Sequence, residues 1–309
     1  MANYITIDGG TTNTRISLVK DYEVIETLKY NVGARAGIDD NLLLKTTVKN
    51  GISKLLSQNG LKKEDITRIL ASGMITSEFG LFKLDHATTP IGLDGLHECM
   101  HEVVIEDISE IPFVFMRGVK TGCKTLEDAD MMRGEETELM GIMSDDDGEC
   151  VYILPGSHSK IIKTDSDGKI VSFATMLTGE MTAALSQNTI LKASIEFFDT
   201  IDSEYLVKGY EYCNNKGINE ALFKVRILKN IFGCESLNAY SFFMGVILCG
   251  EVDAVLKINP PKVVIGGKKQ LKEALTLLIE SKSDCEVVCV SDCVVDKSSV
   301  LGMIRIYEV

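Results

Sequence analysis

The chain has 309 residues, 45% of them apolar, and a formal net charge of −13. This length is enough for two domains with separate cores, and the acidic balance argues against nucleic-acid and anionic-membrane partners while favouring a small-molecule site. No basic segment followed by an apolar core opens the chain, and its most apolar helical stretch, residues 242–249, is too short to span a bilayer. We therefore expect a cytoplasmic protein, and the odd count of nine cysteines favours reduced thiols.

A short apolar strand near the start of the chain runs into a loop rich in glycine and hydroxyl residues, and a second strand follows at once. Gly10 lets backbone N–H groups approach phosphate oxygens, and Thr11 and Thr12 add hydroxyl donors. Asp8 supplies a hard oxygen for Mg²⁺, directly or through water. The same composition also occurs in ordinary β-hairpin turns, so this stretch alone leaves both interpretations open.

The first half of the chain begins with three closely spaced strands. They leave no room for crossover helices, so we expect an antiparallel meander. Asp39 and Asp40 then precede apolar residues at helical spacing, and acidic residues suit the first turn of a helix. The predicted elements are strands Tyr4–Ile7, Arg15–Lys20 and Tyr22–Leu28, a helix from Leu42 to Leu56, strand Ile66–Ala71, a loop over Met116–Asp130 and a helix over about Glu135–Met143.

The second half repeats the opening order of strand, glycine–hydroxyl loop, strand, turn and strand. This repeat predicts two domains, residues 1–149 and 150–309, with the last helix free to pack back on the first domain. The predicted elements are strands Val151–Leu154, Ile161–Thr164 and Ile170–Phe173, a long helix Ser236–Lys257, strand Lys262–Ile265, strand Glu286–Val290 and a final helix from Ser298 to about Tyr307.

Two similar halves could hold a polyphosphate from opposite sides. The second loop offers Gly156, Ser157 and His158, and Lys160 adds charge unless it is merely an exposed lysine. His158 could equally be a hydrogen-bonded structural histidine. The turn Gly266–Gly267, at the carboxyl end of a strand, would then receive the nucleoside.

Four blocks of the sequence are Ile7–Arg15, Met132–Glu138, Leu154–Lys160 and Leu177–Glu180. Their order and approximate spacing resemble the 2-dehydro-3-deoxygalactonokinase family of the sugar kinase, Hsp70 and actin superfamily, over nearly the whole chain. The resemblance implies an α/β protein with two ribonuclease-H-like (actin-like ATPase) domains and an interdomain cleft. It also implies a kinase that uses ATP and Mg²⁺ to phosphorylate the terminal (6-) hydroxyl of a 2-keto-3-deoxy sugar acid, foremost 2-dehydro-3-deoxy-D-galactonate.

The chain departs from this family at positions where members carry tryptophan. Gly9 stands at one of them and Leu81, after Gly80, at another, and the chain contains no tryptophan. These positions bear on the shape of the sugar pocket.

A sugar hydroxyl needs a base for its proton, and related hexose kinases place a carboxylate shortly before the second phosphate loop. Asp130, Glu135 and Glu136 lie there. Acidic residues in a first helical turn also stabilise the helix by about 0.3–1 kcal/mol, which is the plainer interpretation. We favour Glu135 as the base, with the other two as alternatives.

The carboxylate of a sugar acid is best bound by arginine. Arg15 and Arg133 are the candidates, although Arg133 could instead pair with a neighbouring glutamate, and Asn13 could reach sugar hydroxyls. Thr178 and Glu180 resemble a substrate motif of the family, yet Thr178 could simply cap a helix.

Two further functions compete with the sugar-acid kinase. A phosphohydrolase of the same fold would use water as acceptor, and a non-catalytic protein would sense ATP or sugar. The sequence also leaves a homodimer open.

Overall fold

The computed structural model describes residues 2–38, 41–267 and 269–309. The chain forms two compact units. The first comprises Met1–Asp147, Asp167–Ser172 and Cys293–Val309, and the second comprises Gly148–Ser166 and Phe173–Asp292. Asp39 and Asp40, the acidic pair expected before the first helix, lie outside the described residues.

Both units combine β-strands with α-helices. The strands are β1 (Asn3–Gly9), β2 (Thr14–Lys20), β3 (Glu23–Tyr30), β4 (Arg68–Gly73), β5 (Ala87–Thr88), β6 (His101–Ile105), β7 (Ser109–Phe115), β8 (Val119–Lys120), β9 (Met131–Met132), β10 (Cys150–Leu154), β11 (Ser159–Thr164), β12 (Ile170–Met176), β13 (Lys262–Ile265) and β14 (Glu286–Cys289). The α-helices are α1 (Leu42–Gln58), α2 (Leu93–Glu98), α3 (Glu135–Ile142), α4 (Thr178–Asn188), α5 (Ser203–Lys216), α6 (Ile218–Asn230), α7 (Ser236–Ile247), α8 (Cys249–Ile258), α9 (Lys269–Glu280), α10 (Asp292–Val295) and α11 (Ser298–Tyr307).

The first unit is built on a six-stranded sheet with the order β3-β2-β1-β4-β7-β6. Strands β1–β3 pair antiparallel, as the meander predicted, whereas β4 runs parallel to β1 and β7 parallel to β4. β1 is interior and almost wholly buried, while the edge strand β3 alternates exposed and half-buried residues. That alternation is typical of a strand covered on one face. Ile5, Ile69 and Phe113 form the core together with the buried side of α1.

The second unit repeats this strand order with different residues. Its sheet runs β12-β11-β10-β13-β14, with β11 antiparallel to β10 and with β13 and β14 parallel to it. Val151, Ile153 and Ile265 pack here against α7, which is buried on every side from Ala239 to Ile247. A helix that is apolar all round is expected inside a core rather than on its surface. Three antiparallel strands followed by parallel strands in one shared order give each unit the ribonuclease-H-like fold.

The carboxyl-terminal helix α11 belongs to the first unit, where it lies against α3. The two helices approach so closely that a Cβ on Gly141 would overlap the carbonyl of Ser298, and one on Gly302 would overlap that of Thr137. This contact fixes the position of α3, whose first turn carries Glu135 and Glu136.

Several predicted boundaries change in the structure. The single helix predicted over Ser236–Lys257 is wrong, because Leu248 has ψ 0° and separates α7 from α8. The segment predicted as a loop, Met116–Asp130, contains the short strand β8. The last strand ends at Cys289 rather than Val290.

Within the part of the chain that the structure describes, no helix is long and apolar enough to cross a membrane. No two cysteines of the described residues are joined by a disulfide.

Candidate active site

The first predicted phosphate loop, residues 10–13, connects β1 to β2 in the first unit. The N–H of Gly10 donates to the carbonyl of Asn13 at 2.7 Å, which closes a tight turn. Thr11, Thr12 and Asn13 are exposed, and Asn13 Nδ2 donates to Thr12 Oγ1 at 2.9 Å. The loop therefore presents its hydroxyl and amide groups at the end of a buried strand.

A short 3-10 helix that begins at Ala34 fixes the back of this loop. Ala34 N–H donates to the carbonyl of Gly10 at 3.0 Å, and the N–H of Arg35 donates to the carbonyl of Thr11 at 2.9 Å. A trans peptide group is planar, so its N–H points opposite to its carbonyl. The N–H groups of Thr11 and Thr12 consequently point away from the 3-10 helix, toward the exposed side of the loop.

Asp8 lies at the end of β1, beside Arg15 on β2 and Ser72 on β4. Arg15 Nη1 donates to Asp8 Oδ2 at 3.2 Å, and the arginine side chain is more exposed than the carboxylate. Burial raises the pKa of Asp8, the Arg15 charge and hydrogen bond oppose that rise, and the charge of Glu135 adds to it. Two carboxylates thus sit close enough in the first unit to repel each other.

Glu136 is fully buried, next to the partly exposed Glu135. The N–H of Gly134 donates to both its carboxylate oxygens, at 2.9 and 2.8 Å, and Ser72 Oγ donates to Oε1 at 3.3 Å. Burial, helped by the charge of Glu135, raises the pKa of Glu136 to about 8. Glu136 therefore ties the first turn of α3 to β4, where no solvent reaches it.

Glu135 and Asp130 are the other two carboxylates proposed as base. Glu135 Oε2 accepts from the N–H of Arg133 at 3.0 Å and stays within electrostatic range of Asp8. Asp130 Oδ1 accepts from the N–H of Met131 at 2.7 Å, just before β9. Of the three, Glu135 is the partly exposed one that lies near Asp8.

Arg133 has a half-buried guanidinium with several protein partners. Its Nη1 donates to the carbonyl and the hydroxyl of Thr76 at 2.9 and 2.6 Å, and its Nη2 donates to the carbonyl of Leu84 at 3.1 Å. The Nη2 group also faces the His86 ring at 3.2 Å. Burial and the Arg133 charge lower the pKa of His86, so the imidazole stays neutral. Arg133 thus holds the segment between β4 and β5.

Gly9, one of the positions where the related family carries tryptophan, packs against Ile75. A Cβ on Gly9 would lie 2.6 Å from the Cβ of Ile75. Leu81, the other such position, donates its N–H to the carbonyl of the same isoleucine at 2.8 Å. The two positions at which this chain lacks the tryptophan of the related family therefore both contact Ile75.

The second predicted phosphate loop, residues 155–158, connects β10 to β11 in the second unit. Its back is fixed by the first turn of α4. The N–H of Gly179 donates to the carbonyl of Gly156 at 3.2 Å, and the N–H of Glu180 donates to the carbonyl of Ser157 at 3.3 Å. By the same peptide geometry, the N–H groups of Ser157 and His158 point to the exposed side of the loop.

The two loops are thus held in the same way. In each, two consecutive carbonyls accept from two consecutive N–H groups at the start of a helix, and the next two N–H groups face outward. Successive outward N–H groups form a concave site for an anion such as a phosphate. Each unit therefore turns two consecutive N–H groups outward at the end of its first strand.

His158 and Lys160 both contact groups of their own unit. His158 Nε2 lies 3.1 Å from Glu180 Oε1, which joins the loop to α4 by a second route. Lys160 is only 3% exposed, and its Nζ donates to the carbonyl of His158 at 3.2 Å. The interpretation of Lys160 as an exposed lysine is therefore wrong. Its ammonium sits directly beneath the loop.

Thr178 is the first residue of α4 rather than its cap, and the residue before it makes no capping bond through its side chain. The Thr178 hydroxyl instead donates to the carboxylate of Glu251, on α8. Glu251 is 1% exposed, and it also accepts from the hydroxyl of Ser159. Burial raises the pKa of Glu251, while its hydrogen bonds from Thr178 and Ser159 oppose the rise.

The turn Gly266–Gly267 lies at the carboxyl end of β13, as the sequence predicted. The N–H of Gly266 donates to the carbonyl of Ile153 at 2.9 Å. Gly267 has φ +80° and packs against Pro155, the first residue of the second loop. The turn and the loop are therefore adjacent within the second unit.

Sequence reasoning missed two residues that hold these loops. A Cβ on Gly33 would lie 2.5 Å from the carbonyl oxygen of Gly10, so this glycine permits the 3-10 helix to reach the first loop. Glu251 was assigned no role, because an acidic residue in a helical pattern is usually solvated. Nothing in the sequence separates the buried Glu251 from Asp253, which lies two residues later and is exposed.

The donor set of the first unit fits Mg²⁺. Among the described residues, no group of three or more His, Cys, Asp and Glu side chains is arranged to hold a metal ion. Mg²⁺ commonly takes only one or two carboxylates and completes its shell with water and phosphate oxygens. Asp8, partly exposed beside the first loop, offers such a carboxylate.

The chain has the ribonuclease-H-like fold that actin-like ATPases and sugar kinases share, once in each unit. A crystal structure of a protein from Sinorhizobium meliloti, assigned by name to 2-dehydro-3-deoxygalactonokinase, superposes with a TM-score of 0.79 at 20% identity, over 98% of this chain and 97% of that one. The activator of 2-hydroxyisocaproyl-CoA dehydratase from Clostridium difficile, solved with bound ADPNP, superposes with a TM-score of 0.50 at 13% identity, over 99% and 95%. Both similarities concern the fold.

The 2-keto-3-deoxy-galactonokinase family model matches residues 8–304, so the chain belongs to that family. The 2-dehydro-3-deoxygalactonokinase of Escherichia coli (strain K12) is 25% identical over 257 residues, which are 83% of this chain and 81% of that protein. The resemblance found in the sequence motifs is thereby confirmed, and the chain is an ATP-dependent sugar kinase.

Proposed function

We propose that this kinase transfers the terminal phosphoryl group of ATP to the terminal (6-) hydroxyl of a 2-keto-3-deoxy sugar acid, namely 2-dehydro-3-deoxy-D-galactonate. The name of the Escherichia coli relative supports this substrate. The observation that carries the proposal is the matching support of the two loops, each of which turns two N–H groups outward where a phosphate would bind.

The nucleotide is assigned to groups of both loops. Thr11 and Thr12, after Gly10, contact phosphate oxygens in the first unit. In the second unit Ser157 and His158, after Gly156, do the same. Lys160 adds a positive charge beneath that loop, and the turn Gly266–Gly267 receives the nucleoside.

Asp8 is assigned to hold Mg²⁺. When bound, Mg²⁺ neutralises negative charge on the phosphates and on the phosphoryl group in transfer. Arg15 donates to one oxygen of Asp8 and leaves the other for the ion or its water. The arginine thereby orients the carboxylate.

Glu135 is assigned as the general base that accepts the proton of the sugar hydroxyl. A base must lie within hydrogen-bond reach of that proton, and a partly exposed carboxylate near the metal ligand meets this need. Glu136 is enclosed by protein and serves instead to orient the first turn of α3. Asp130 stays the alternative base.

The sugar acid is assigned to exposed groups of the first unit. Arg15 is the more exposed of the two candidate arginines, and Arg133 already donates to three protein groups. We therefore place the substrate carboxylate on Arg15 and a sugar hydroxyl on Asn13. Thr178 and Glu180, which the family motif related to substrate, act through the second loop in this scheme.

The proposal is tested by measuring ADP release from ATP and Mg²⁺ with a panel of sugar acids. The panel pairs 2-dehydro-3-deoxy-D-galactonate with its gluconate epimer, the parent aldonic acids and a neutral ketose. We expect turnover that requires the 2-keto-3-deoxy acid, and phosphorus NMR of the product should show a phosphate ester on the terminal carbon.

Either of two outcomes would contradict the proposal and indicate a different function. ATP consumption at the same rate with and without sugar acid would identify a phosphohydrolase. Tight binding of ATP with no turnover on any member of the panel would identify a non-catalytic sensing protein.

A further inference from the structure

A continuous set of hydrogen bonds connects the second loop to the interior of its unit. The N–H of Gly156 donates to the hydroxyl of Ser159 at 3.4 Å. The hydroxyl of Ser159 donates in turn to the buried carboxylate of Glu251, which also accepts from the hydroxyl of Thr178. The set thus runs from the loop backbone through β11 to α8 and back to the start of α4.

A carboxylate determines the direction of every bond in this set. Thr178 Oγ1 donates to Oε1 of Glu251, and a carboxylate in its ionised form only accepts, so in that form the hydroxyl hydrogens of Ser159 and Thr178 both point toward Glu251. The oxygen of Ser159 is then left to accept from the N–H of Gly156. A buried carboxylate that is satisfied in this way holds its neighbours firmly, because a lost hydrogen bond there leaves a charged group without compensation.

The second contact of Glu251 reaches the other support of the loop. Thr178 is followed directly by Gly179 and Glu180, whose N–H groups donate to the loop carbonyls. Glu251 therefore acts on the loop through a β-strand and through a helix at once.

We propose that Glu251 is a positioning residue for nucleotide binding, which presets the outward N–H groups of the second loop through Ser159 and Thr178. It touches neither substrate in this scheme. The inference rests on the proposed role of the loop in holding phosphate, and it does not depend on which sugar acid is phosphorylated.

The test measures ATP affinity by calorimetry with Mg²⁺ and without sugar acid. Glu251→Gln keeps the size of the side chain but introduces an amide that donates, so one of the two hydroxyls must reorient. We expect the dissociation constant of ATP to rise by about 10-fold, the loss that follows removal of one hydrogen bond to a charged group. The KM for ATP should rise with it, whereas the KM for the sugar acid should stay within about twofold.

Thr178 provides a second pair of variants in case Glu251→Gln fails to fold. Thr178→Val removes the hydroxyl at nearly constant volume, and Thr178→Ser keeps it. The residue borders a cavity of about 400 Å³, which leaves room for the added methyl. We expect the valine variant to lose ATP affinity and the serine variant to retain it, a difference that a purely structural role would not produce.

Asp253→Asn is the matched control. Asp253 lies two residues further along α8, and its Oδ1 accepts from Tyr210 and Asn214 rather than from groups of the loop. This variant should bind ATP as the wild type does.

The inference is overturned if folded Glu251→Gln and Thr178→Val both bind ATP within about twofold of the wild type. It is also overturned if Thr178→Ser loses as much affinity as Thr178→Val. If the wild-type chain binds ATP but phosphorylates no sugar acid, the substrate proposal fails while the role of Glu251 can still be measured.

Discussion

Gly179→Ala should weaken ATP binding more than it destabilises the protein. An ideal Cβ on Gly179 would lie 2.6 Å from the carbonyl oxygen of Gly156 and 2.7 Å from the Cα of Ser157. Both atoms belong to the backbone, so no side chain can rotate away. Because carbon and carbonyl oxygen approach to about 3.3 Å at closest, the loop and α4 must separate by roughly 0.7 Å.

That separation removes the support of the loop. The bonds from Gly179 and Glu180 to the loop are already 3.2 and 3.3 Å long, and at about 4 Å little of a hydrogen bond is left. Each contributes about 0.5–1.5 kcal/mol. If ATP must restore the loop geometry on binding, its affinity falls by about 1–3 kcal/mol, which is between about 5-fold and 150-fold.

The free energy of unfolding should fall less, by about 0–2 kcal/mol, since alanine is favoured over glycine in a helix by about 0.8–1.0 kcal/mol and this gain offsets part of the lost hydrogen bonding. A thermal unfolding curve close to that of the wild type, together with weak ATP binding in calorimetry, is therefore the expected result.

Gly250→Ala is the control for this experiment. Gly250 is the second residue of α8, as Gly179 is the second residue of α4, and its nearest neighbour, Met176 Sδ, would be 3.7 Å from the added Cβ. The control gains the same helix preference without a clash. If Gly179→Ala binds ATP as tightly as Gly250→Ala does, the loop does not depend on its helical support and the reasoning fails.

Four further substitutions test other parts of the site. Asp8→Asn should lower the turnover number by about 100-fold or more, because it removes an electrostatic contribution to the transition state; turnover near the wild-type value would exclude Asp8 as the metal ligand. Glu135→Gln should lower turnover by about 100-fold while the ATP dissociation constant changes little, and unchanged turnover would transfer the role of base to Asp130. Burial raises the pKa of Glu136 from 4.5 to about 8, so between these pH values the unfolded state has lost this proton while the folded state keeps it. The free energy of unfolding should therefore fall by about 1.4 kcal/mol per pH unit as pH rises across that window. Urea unfolding of Glu136→Gln should show a flatter pH dependence there, and an unaltered slope would contradict this. Gly141→Ala should lower the free energy of unfolding by about 1–3 kcal/mol through overpacking of α3 against α11, and a urea midpoint equal to that of the wild type would show that the helices can separate freely.

Local composition was enough to predict the two loops. Glycine and hydroxyl residues directly after an apolar strand are typical of a tight loop, and both stretches form such a loop between two strands. The strand meanders were predictable for the same reason, since short spacing excludes crossover helices. These features depend on neighbours in the sequence.

The supports of the loops were not predictable, because they come from distant parts of the chain. Gly33 follows the first loop by twenty positions and Gly179 follows the second by a similar interval, with β-strands between. Nothing in either segment alone indicates that its N–H groups will meet loop carbonyls. Glu251 lies further still from Ser159, and only the packing of α8 brings the two together.

The burial of Lys160 shows a further limit of sequence reasoning. The start of a strand gives no information about which of its faces is covered. In β11 successive side chains point to opposite faces of the sheet, and Ser159, Lys160 and Ile161 are all buried, so both faces are covered and the ammonium is held under the loop. A lysine at an edge strand would have looked the same in sequence.

Backbone groups rather than side chains hold the back of each loop. Most of the positions that supply these groups can therefore be occupied by many different amino acids. Divergence can then remove the sequence similarity between the two halves while nucleotide binding is retained. A common origin of two such halves is better detected by comparing the orientations of their peptide groups than by comparing their amino-acid sequences.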